Sequence, residues 1–234
     1  MSKSAVLNFT QNLNNISLQL NSADPYGVIA VAPTSNGTAL TPGLRTFTAV
    51  GGTPVSGGVG AAQFTVQAVG AAGAASVGGI PVVTQPGSYV PGSGPTAAAN
   101  AATVDVNSSN ATFALTVGIL KTLYTASTND CVVKAINVAS TDGTARTMSL
   151  WEQDPSGGYL TLLGSLNIPA SSGSPSSGSA PSVDLLSGIL IPTLPYDANG
   201  KRVLPLKAGS KLLVSIPAVS ISTFVSVHAM VEEY

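Results

Sequence analysis

The sequence predicts an all-β fold, and two features of its pattern support this. Short runs of alternating apolar and polar residues recur along the chain, whereas no segment longer than a few turns has apolar residues at helical spacing. The 25 glycines and 16 prolines among 234 residues supply frequent turns between these runs. We therefore expect a jelly-roll-like antiparallel β-sandwich in the C-terminal half, preceded by a looser Gly/Ala-rich β region.

The first half of the chain contains recurring strand openings. Three of them are alike: Thr46 to Gly51 (TFTAVG), Gln63 to Gly70 (QFTVQAVG) and Thr112 to Gly118 (TFALTVG). Their irregular spacing predicts similar hairpins rather than a solenoid with a fixed period. We place a domain boundary near residues 105–111, which divides the chain into an N-terminal β region, 1–108, and a sandwich domain, 109–234.

The segment from Cys131 to Val138 predicts a strand with two faces, since Val132, Lys134, Ile136 and Val138 alternate with smaller or polar residues. An Asp-Gly pair at 142–143 follows, and both residue types tolerate the positive φ of a tight hairpin turn. Residues 146–151 are therefore predicted to return as the hairpin partner of this strand.

Further turns and strands follow this predicted hairpin. A turn over 154–158 precedes a predicted strand over 159–163, and the Ser/Gly/Pro tract 170–182 predicts an exposed, mobile loop. Apolar segments come next at 183–192 and 203–209, with a turn at Asn199-Gly200 between them. Alternation over 212–216 indicates one more strand before the last.

The last predicted strand, 223–233, carries bulky residues on both faces. Val225, Val227 and Val231 alternate with Phe224, His228 and other polar or large residues. This pattern predicts a strand that is covered on two sides, either within a sandwich or against another subunit.

Charge and terminal sequence argue against several protein classes. Lys and Arg number 9, Asp and Glu 10, and only 8% of residues are charged, against roughly 25% in ordinary soluble domains. Without a Lys/Arg cluster, nucleic-acid binding is not expected, and glycine and proline interrupt every apolar run that could span a membrane. The N-terminus lacks a continuous apolar core after Lys3, so we expect no secretory signal and synthesis in a cytoplasm. The single cysteine cannot form an internal disulfide.

Neither Cys131 nor His228 is expected to be catalytic. A nucleophilic cysteine needs a nearby cation, histidine or helix N-terminus, but the nearest basic residue in sequence, Lys134, falls on the opposite face of the predicted strand. We therefore expect Cys131 to be a small, inert residue. His228 is the only histidine, and Glu232 lies two pleats away on the same face, too far to orient it.

The acidic residues offer only weak candidates for chemistry. Asp197-Ala-Asn-Gly200 begins like a calcium loop, but the remaining ligands are missing and we expect a plain turn. Glu152, Asp154 and Asp184 are available to form a glycosidase-like carboxylate pair, although nothing beyond availability supports it. Trp151, the only tryptophan, is expected in the core or at a subunit contact. We therefore predict a non-enzymatic protein with no catalytic, cofactor-binding or metal-binding residues.

Several runs resemble a known class of virion proteins. The run Leu123-Tyr-Thr-Ala, then Cys131 to Val138 (CVVKAINV), the strand through Trp151 and the late run 205–212 (PLKAGSKL) resemble a β-sandwich module of tailed-bacteriophage virion proteins. Such modules occur in tail fibres, tail-associated proteins and head decoration proteins, usually as homotrimers. The run from Gln63 and the segment 82–89 are similar to a short β element of phage structural proteins. The tract 170–182 is longer than is usual in that class, and residues 1–46 match nothing in it.

The resemblance implies a structural role in the virion. It predicts a capsid decoration or cement protein that binds and stabilises the assembled head, with itself and the major capsid protein as partners and a homotrimer as the assembly. Such a protein would be made in the cytoplasm of a bacterial host and no cofactor would be needed. Two alternatives remain open: a tail fibre, adaptor or receptor-binding tail component, and a glycan-binding lectin or glycosidase.

Overall fold

The computed structural model describes residues 12–38, 40–57, 60–95, 97–98, 111–157, 160–173, 181–188 and 194–234. Over these residues the secondary structure is almost entirely β, which confirms the predicted all-β class. In chain order the strands are β1 (Asn12–Asn21), β2 (Tyr26–Asn36), β3 (Gly43–Thr48), β4 (Gln63–Val69), β5 (Ser76–Val77), β6 (Val82–Gln85), β7 (Ala97–Ala98), β8 (Ala111–Thr125), β9 (Cys131–Ser140), β10 (Arg146–Gln153), β11 (Leu160–Ile168), β12 (Val183–Asp184), β13 (Leu204–Leu206), β14 (Lys211–Ile216) and β15 (Phe224–Glu233). One short helix, α1 (Leu185–Gly188), follows β12.

These strands form three antiparallel sheets. Sheet A has the order β1, β15, β9, β12, and β13 also pairs with β9. Sheet B has the order β11, β10, β14, β8, β2, and β7 also pairs with β8. Sheet C has the order β3, β4, β5, and β6 also pairs with β4. Antiparallel sheets of this kind bury one or both faces against a neighbouring sheet.

Sheet B is the middle layer of a three-layer stack. Its strand β14 sends Leu212, Val214 and Ile216 into a core shared with sheet A, and Leu213 into a second core shared with sheet C. This alternation follows from the two-residue period of a strand. In β10 the same alternation places Met148 and Leu150 in the first core and Trp151 in the second.

Three phenylalanines join sheet B to sheet C in the second core. Phe113 on β8 lies 4.9 Å from Phe47 on β3 and 4.9 Å from Phe64 on β4, measured between ring centroids. All three rings are almost fully buried. Tilted and edge-to-face rings at these distances add to the stabilisation that comes from apolar burial.

The predicted division at residue 108 does not describe this arrangement. The boundary itself lies outside the described residues, but β1 pairs along its whole length with β15, and β2 pairs with β8. Both strands precede the predicted boundary and yet belong to the sheets of the sandwich. The alternation of apolar and polar residues did not show that β1 and β2 belong to the sandwich, because the strands they pair with lie far along the chain. Sheet C, from β3 to β6, is the part that forms a separate layer.

The predicted hairpin at Asp142-Gly143 is wrong. Strand β9 belongs to sheet A and β10 to sheet B, so residues 141–145 cross between the two sheets instead of turning within one. Neither Asp142 nor Gly143 has the positive φ of a tight hairpin turn. The Asp-Gly pair therefore lies in a corner where the chain passes from sheet A to sheet B, and hydrogen bonds to the Asp142 side chain hold this corner.

Asp142 is fully buried in this corner, where its carboxylate accepts four hydrogen bonds. The donors are the Ser220 backbone N–H at 3.0 Å and hydroxyl at 2.8 Å, the Thr144 N–H at 3.0 Å and Arg146 Nε at 2.9 Å. Burial by itself raises the pKa of Asp142, but the hydrogen bonds outweigh it and hold the pKa at about 2. The carboxylate thus ties the corner to the connection between β14 and β15.

Strand β9 departs from strict alternation. Between the pairs Val133–Val231 and Ala135–Met230 it contains one extra residue, Lys134, which forms a β-bulge. Cys131 and Val133 before the bulge and Ile136 and Val138 after it all face the core. The predicted face of Val132, Lys134, Ile136 and Val138 is therefore wrong in its first half.

The apolar segment that begins at residue 183 forms a two-residue strand and a single helical turn over 183–188. At the start of the predicted mobile loop, Ser172 is buried and its carbonyl accepts the Ser140 N–H at 2.7 Å; residues 174–180 lie outside the described part. The last strand is confirmed, with its valines in the core between sheets A and B.

Candidate functional site: the cleft on the outer face of sheet A

A cleft of about 940 Å³ opens on the face of sheet A that points away from sheet B. Strands β1, β9 and β15 form its floor, and α1 with the loop over 196–202 forms its walls. Residues of mixed polarity line it: Leu13, Lys134, Ala135, Asn137, Asp184, Ser187, Tyr196, Asp197, Asn199, Gly200, Lys201, Arg202, Met230 and Glu232.

The floor of the cleft holds an ion pair. Lys134 Nζ lies 2.8 Å from Glu232 Oε2, and Glu232 as a whole is only 4% exposed. The bulge in β9 brings this about, since it places the extra residue Lys134 beside β15 on the outer face. The hydrogen bond to Glu232 raises the pKa of Lys134, although burial acts in the opposite direction. Lys134 is therefore a cation at neutral pH, and it lies against Glu232 on the floor of the cleft.

The wall of the cleft is a tight loop closed by a bridge between Tyr196 and Arg202. The Arg202 guanidinium lies 6.0 Å from the centre of the Tyr196 ring, within the range of a cation–π interaction. Asp197 Oδ1 accepts the N–H groups of Asn199 and Lys201, both at 2.9 Å. The Lys201 N–H, followed by that of Asn199, holds the pKa of Asp197 below its usual range. The predicted turn is confirmed, and Oδ1 of Asp197 bonds within its own loop.

Cys131 lies outside the cleft, in the core between sheets A and B. Burial raises the pKa of its thiol, an effect that the Tyr124 hydroxyl beside it only partly offsets. Tyr124 donates a hydrogen bond to Glu233, and burial together with that bond raises the pKa of the phenol. Cys131 is therefore a neutral thiol at pH 7, in keeping with the small, inert residue that the sequence predicts.

We expect Cys131 in the folded protein to react with a disulfide reagent such as dithionitrobenzoate only as fast as the protein opens, because neither exposure nor thiolate formation favours attack. The rate of thionitrobenzoate release checks this, with the urea-unfolded protein as the reference. Rapid stoichiometric release from the native protein would contradict the assignment.

The other candidate residues are not brought together. His228 is exposed on the outer face of sheet A, in register with Ser17 and Asn137, while Glu232 is paired with Lys134. Asp184 belongs to sheet A and accepts the Leu186 N–H at 3.0 Å. Among the described residues no group of three or more His, Cys, Asp or Glu side chains could hold a metal ion.

Glu152 and Asp154 lie apart from Asp184, because Glu152 belongs to β10 in sheet B and Asp154 directly follows that strand. Trp151, in the same strand, is 7% exposed and donates from Nε1 to Ser215 Oγ at 2.7 Å. This confirms the predicted core position of Trp151. No helix in the described part of the chain is long and apolar enough to cross a membrane.

Sequence reasoning missed the cleft itself. Its ion pair joins residues about a hundred positions apart, and the bulge that aligns them leaves no mark in the alternation of β9. Leu13 and Tyr196, which are 52% and 63% exposed, lay in segments without a recognisable motif. Of the residues that line the cleft, only Asp197 was part of a motif that the sequence shows, the turn 197–200.

Replacing Lys134 by Met is expected to lower the free energy of unfolding by about 1–3 kcal/mol, because Glu232 would remain buried without its cation. The double variant Lys134→Met/Glu232→Leu should recover most of that loss, since no uncompensated charge remains. Urea unfolding followed by Trp151 fluorescence measures both values. Equal losses in the single and double variants would show that the pair is not what stabilises the floor.

Comparison with protein-family models and with curated proteins gave no match to this chain. The functional proposal therefore draws on the residues and geometry of this chain and on the resemblance of its runs to virion β-sandwich modules.

Proposed function

We propose that this chain is a non-enzymatic structural protein of a tailed-bacteriophage virion, and that it decorates and stabilises the assembled head. One observation supports the non-enzymatic part of this proposal most strongly. The buried charged groups of the described part serve the framework: Asp142 fastens the corner between two sheets, and Glu232 pairs with Lys134 on the floor of sheet A.

A three-layer β stack with few charges suits a part that reinforces a shell. Sheet B is covered on both faces by two separate cores, which makes a rigid body in which every layer is held by its neighbour. Charged residues are only 8% of the chain, so broad surfaces can pack against another protein without the cost of desolvating ions, several kcal/mol for each buried ion.

The partners that this proposal requires are further copies of the chain and the major capsid protein. The resemblance of 123–151 and 205–212 to virion β-sandwich modules supports a homotrimer. In the structure these segments contribute to strands of sheets A and B, the two layers that form the sandwich proper.

Reconstitution tests the proposal. Purified protein is added to phage capsids that lack it, and binding is measured by co-sedimentation together with the temperature at which the capsids disrupt. We expect saturable binding and a higher disruption temperature. Binding to tails alone would favour the tail fibre or adaptor alternative, and binding to neither particle would overturn a virion role.

Glycan binding is a second candidate, favoured by the composition of the cleft. An exposed Tyr196 lines the cleft together with Asn137 and Asn199, and sugar-binding sites commonly combine an aromatic platform with such hydrogen-bonding side chains. Titration with host-surface oligosaccharides, followed by calorimetry, tests this. Binding that the variant Tyr196→Ala abolishes would support it, and no heat with any saccharide class would exclude it.

A further inference from the structure

Strand β1 forms an edge of sheet A whose outer side is paired with no strand in the described part of the chain. It is ten residues long, contains no charged residue and no proline, and pairs with β15 without a register shift. Long, regular, uncharged edges are the kind that accept another strand, and proteins usually protect them with lysine, proline or a bulge.

Two contacts fix which backbone groups of β1 point outward. The Gln19 carbonyl accepts a hydrogen bond from Lys121 Nζ at 2.9 Å, and the Asn21 N–H donates to Asp24 Oδ2 at 2.7 Å. Groups of alternate residues in a strand point to the same side. The N–H and C=O groups of Leu13, Asn15 and Ser17 therefore face the open edge, while Lys121 and Asp24 close the end at 19–21.

The two edges of sheet B, β2 and β11, are less open than β1. The first residues of β2 are covered by the segment 86–89, where the Tyr26 N–H donates to the Tyr89 carbonyl at 3.0 Å and the Val28 N–H to the Pro86 carbonyl at 2.8 Å. Further along, β2 contains a proline, Pro33. Strand β11 carries a register irregularity opposite Leu150 and Trp151, and such a bulge bends an edge and weakens it as a template.

We propose that β1 pairs with β1 of a second copy of this chain, antiparallel about a twofold axis. Only one register uses all three open residues and avoids the end closed by Lys121: Asn15 faces Asn15 of the second copy, and Leu13 faces Ser17. Each of these three pairs exchanges two backbone hydrogen bonds. The two copies of sheet A then form one continuous sheet, and the exposed Leu13 side chain gains a neighbour across the new pairing.

The choice of a second copy follows from this register. The free donors and acceptors are self-complementary about Asn15, and an uncharged strand opposes itself without like-charge repulsion. The inference does not depend on the proposed virion role. A twofold contact gives a dimer by itself, and in a homotrimer it would link one trimer to another.

Charge at position 15 tests the pairing. Its side chain is exposed on the outer face, so Asn15→Lys and Asn15→Glu should leave the fold intact, which circular dichroism verifies. Sedimentation equilibrium should give association in the wild type, at least severalfold weaker association in each variant alone, and restored association when the two variants are mixed. Asn137→Lys, which adds the same charge on the central strand β9, serves as the control and should associate like the wild type.

A backbone variant gives an independent measurement. The N–H of Asn15 points away from β15, so Asn15→Pro removes no bond within sheet A and is tolerated as proline is on other edge strands. It removes both central bonds of the twofold pairing, and we expect association to weaken about tenfold or more. A wild type that stays monomeric, a proline variant that associates normally, or a Lys/Glu mixture that fails to recover would each overturn the proposal.

Discussion

Replacing Asp142 by Ala is expected to lower the free energy of unfolding by about 3–5 kcal/mol. The carboxylate is fully buried and accepts four hydrogen bonds, so its removal leaves Arg146 without its anion and leaves the N–H groups of Thr144 and Ser220 unsatisfied. These donors belong to two different connections, and the loss therefore loosens the corner between sheets A and B as well as the link between β14 and β15.

Urea unfolding measures this loss, and two variants calibrate it. Asp142→Asn keeps the size of the side chain but loses its charge and one acceptor, so we expect a smaller loss. Asp130→Ala is the matched control, because its exposed carboxylate accepts one backbone N–H, that of Ala208 at 2.9 Å, and should cost no more than about 1 kcal/mol. A loss of similar size for Asp142→Ala would contradict the assigned role.

The same carboxylate predicts a pH dependence. Its pKa is about 2 in the folded protein against an ordinary value of 3.8, so the carboxylate stabilises the fold above about pH 4 and loses this contribution as the pH falls towards 2. The contribution amounts to about 2 kcal/mol. The wild type should therefore lose more stability than Asp142→Asn between pH 5 and pH 2, and parallel curves would count against the shifted pKa.

Phe113→Ala is the second large effect, with an expected loss of about 3–5 kcal/mol. The ring lies in the core between sheets B and C, in contact with Phe47 and Phe64, and its removal leaves a cavity that two rigid sheets cannot close. Trp151 is the only tryptophan and belongs to the same core, so its fluorescence reports this region directly.

The Phe113 variant also tests whether the three layers unfold together. Because sheet B is shared by both cores, tryptophan fluorescence and circular dichroism should give one coincident transition in the wild type and in the variant, shifted to lower urea. Phe224→Ala, at a partly exposed phenylalanine of β15, is the control and should shift the midpoint little. Two separate transitions would mean that sheet C is an independent unit.

The sequence predicted the elements whose structure depends on local pattern. Alternation located β14 and β15, and turn residues located the link between β10 and β11. Prediction from the sequence failed where a residue far along the chain decides which sheet a strand joins or how a turn is formed. Strand β1 belongs to the sandwich because β15 pairs with it, and Asp142-Gly143 is a corner rather than a hairpin because donors from 220 reach the carboxylate.

The same distinction holds for the candidate site. The core position of Trp151 and the turn at Asp197 were predictable, because each depends on its own strand or loop. The burial of Cys131 was not, since the bulge at Lys134 decides which face of β9 it joins. The cleft was not, since a single bulged residue, Lys134, decides which side chain meets Glu232 across sheet A. No period in the sequence records a bulge of this kind.

Immunogold labelling tests the proposed function most directly. An antibody raised against the purified protein is applied to intact particles of a phage whose genome encodes this chain, and the gold is counted on heads and on tails. The proposed role predicts labelling over the head, distributed around the capsid. Labelling confined to tails, or none on intact particles while the purified protein is recognised, would contradict it.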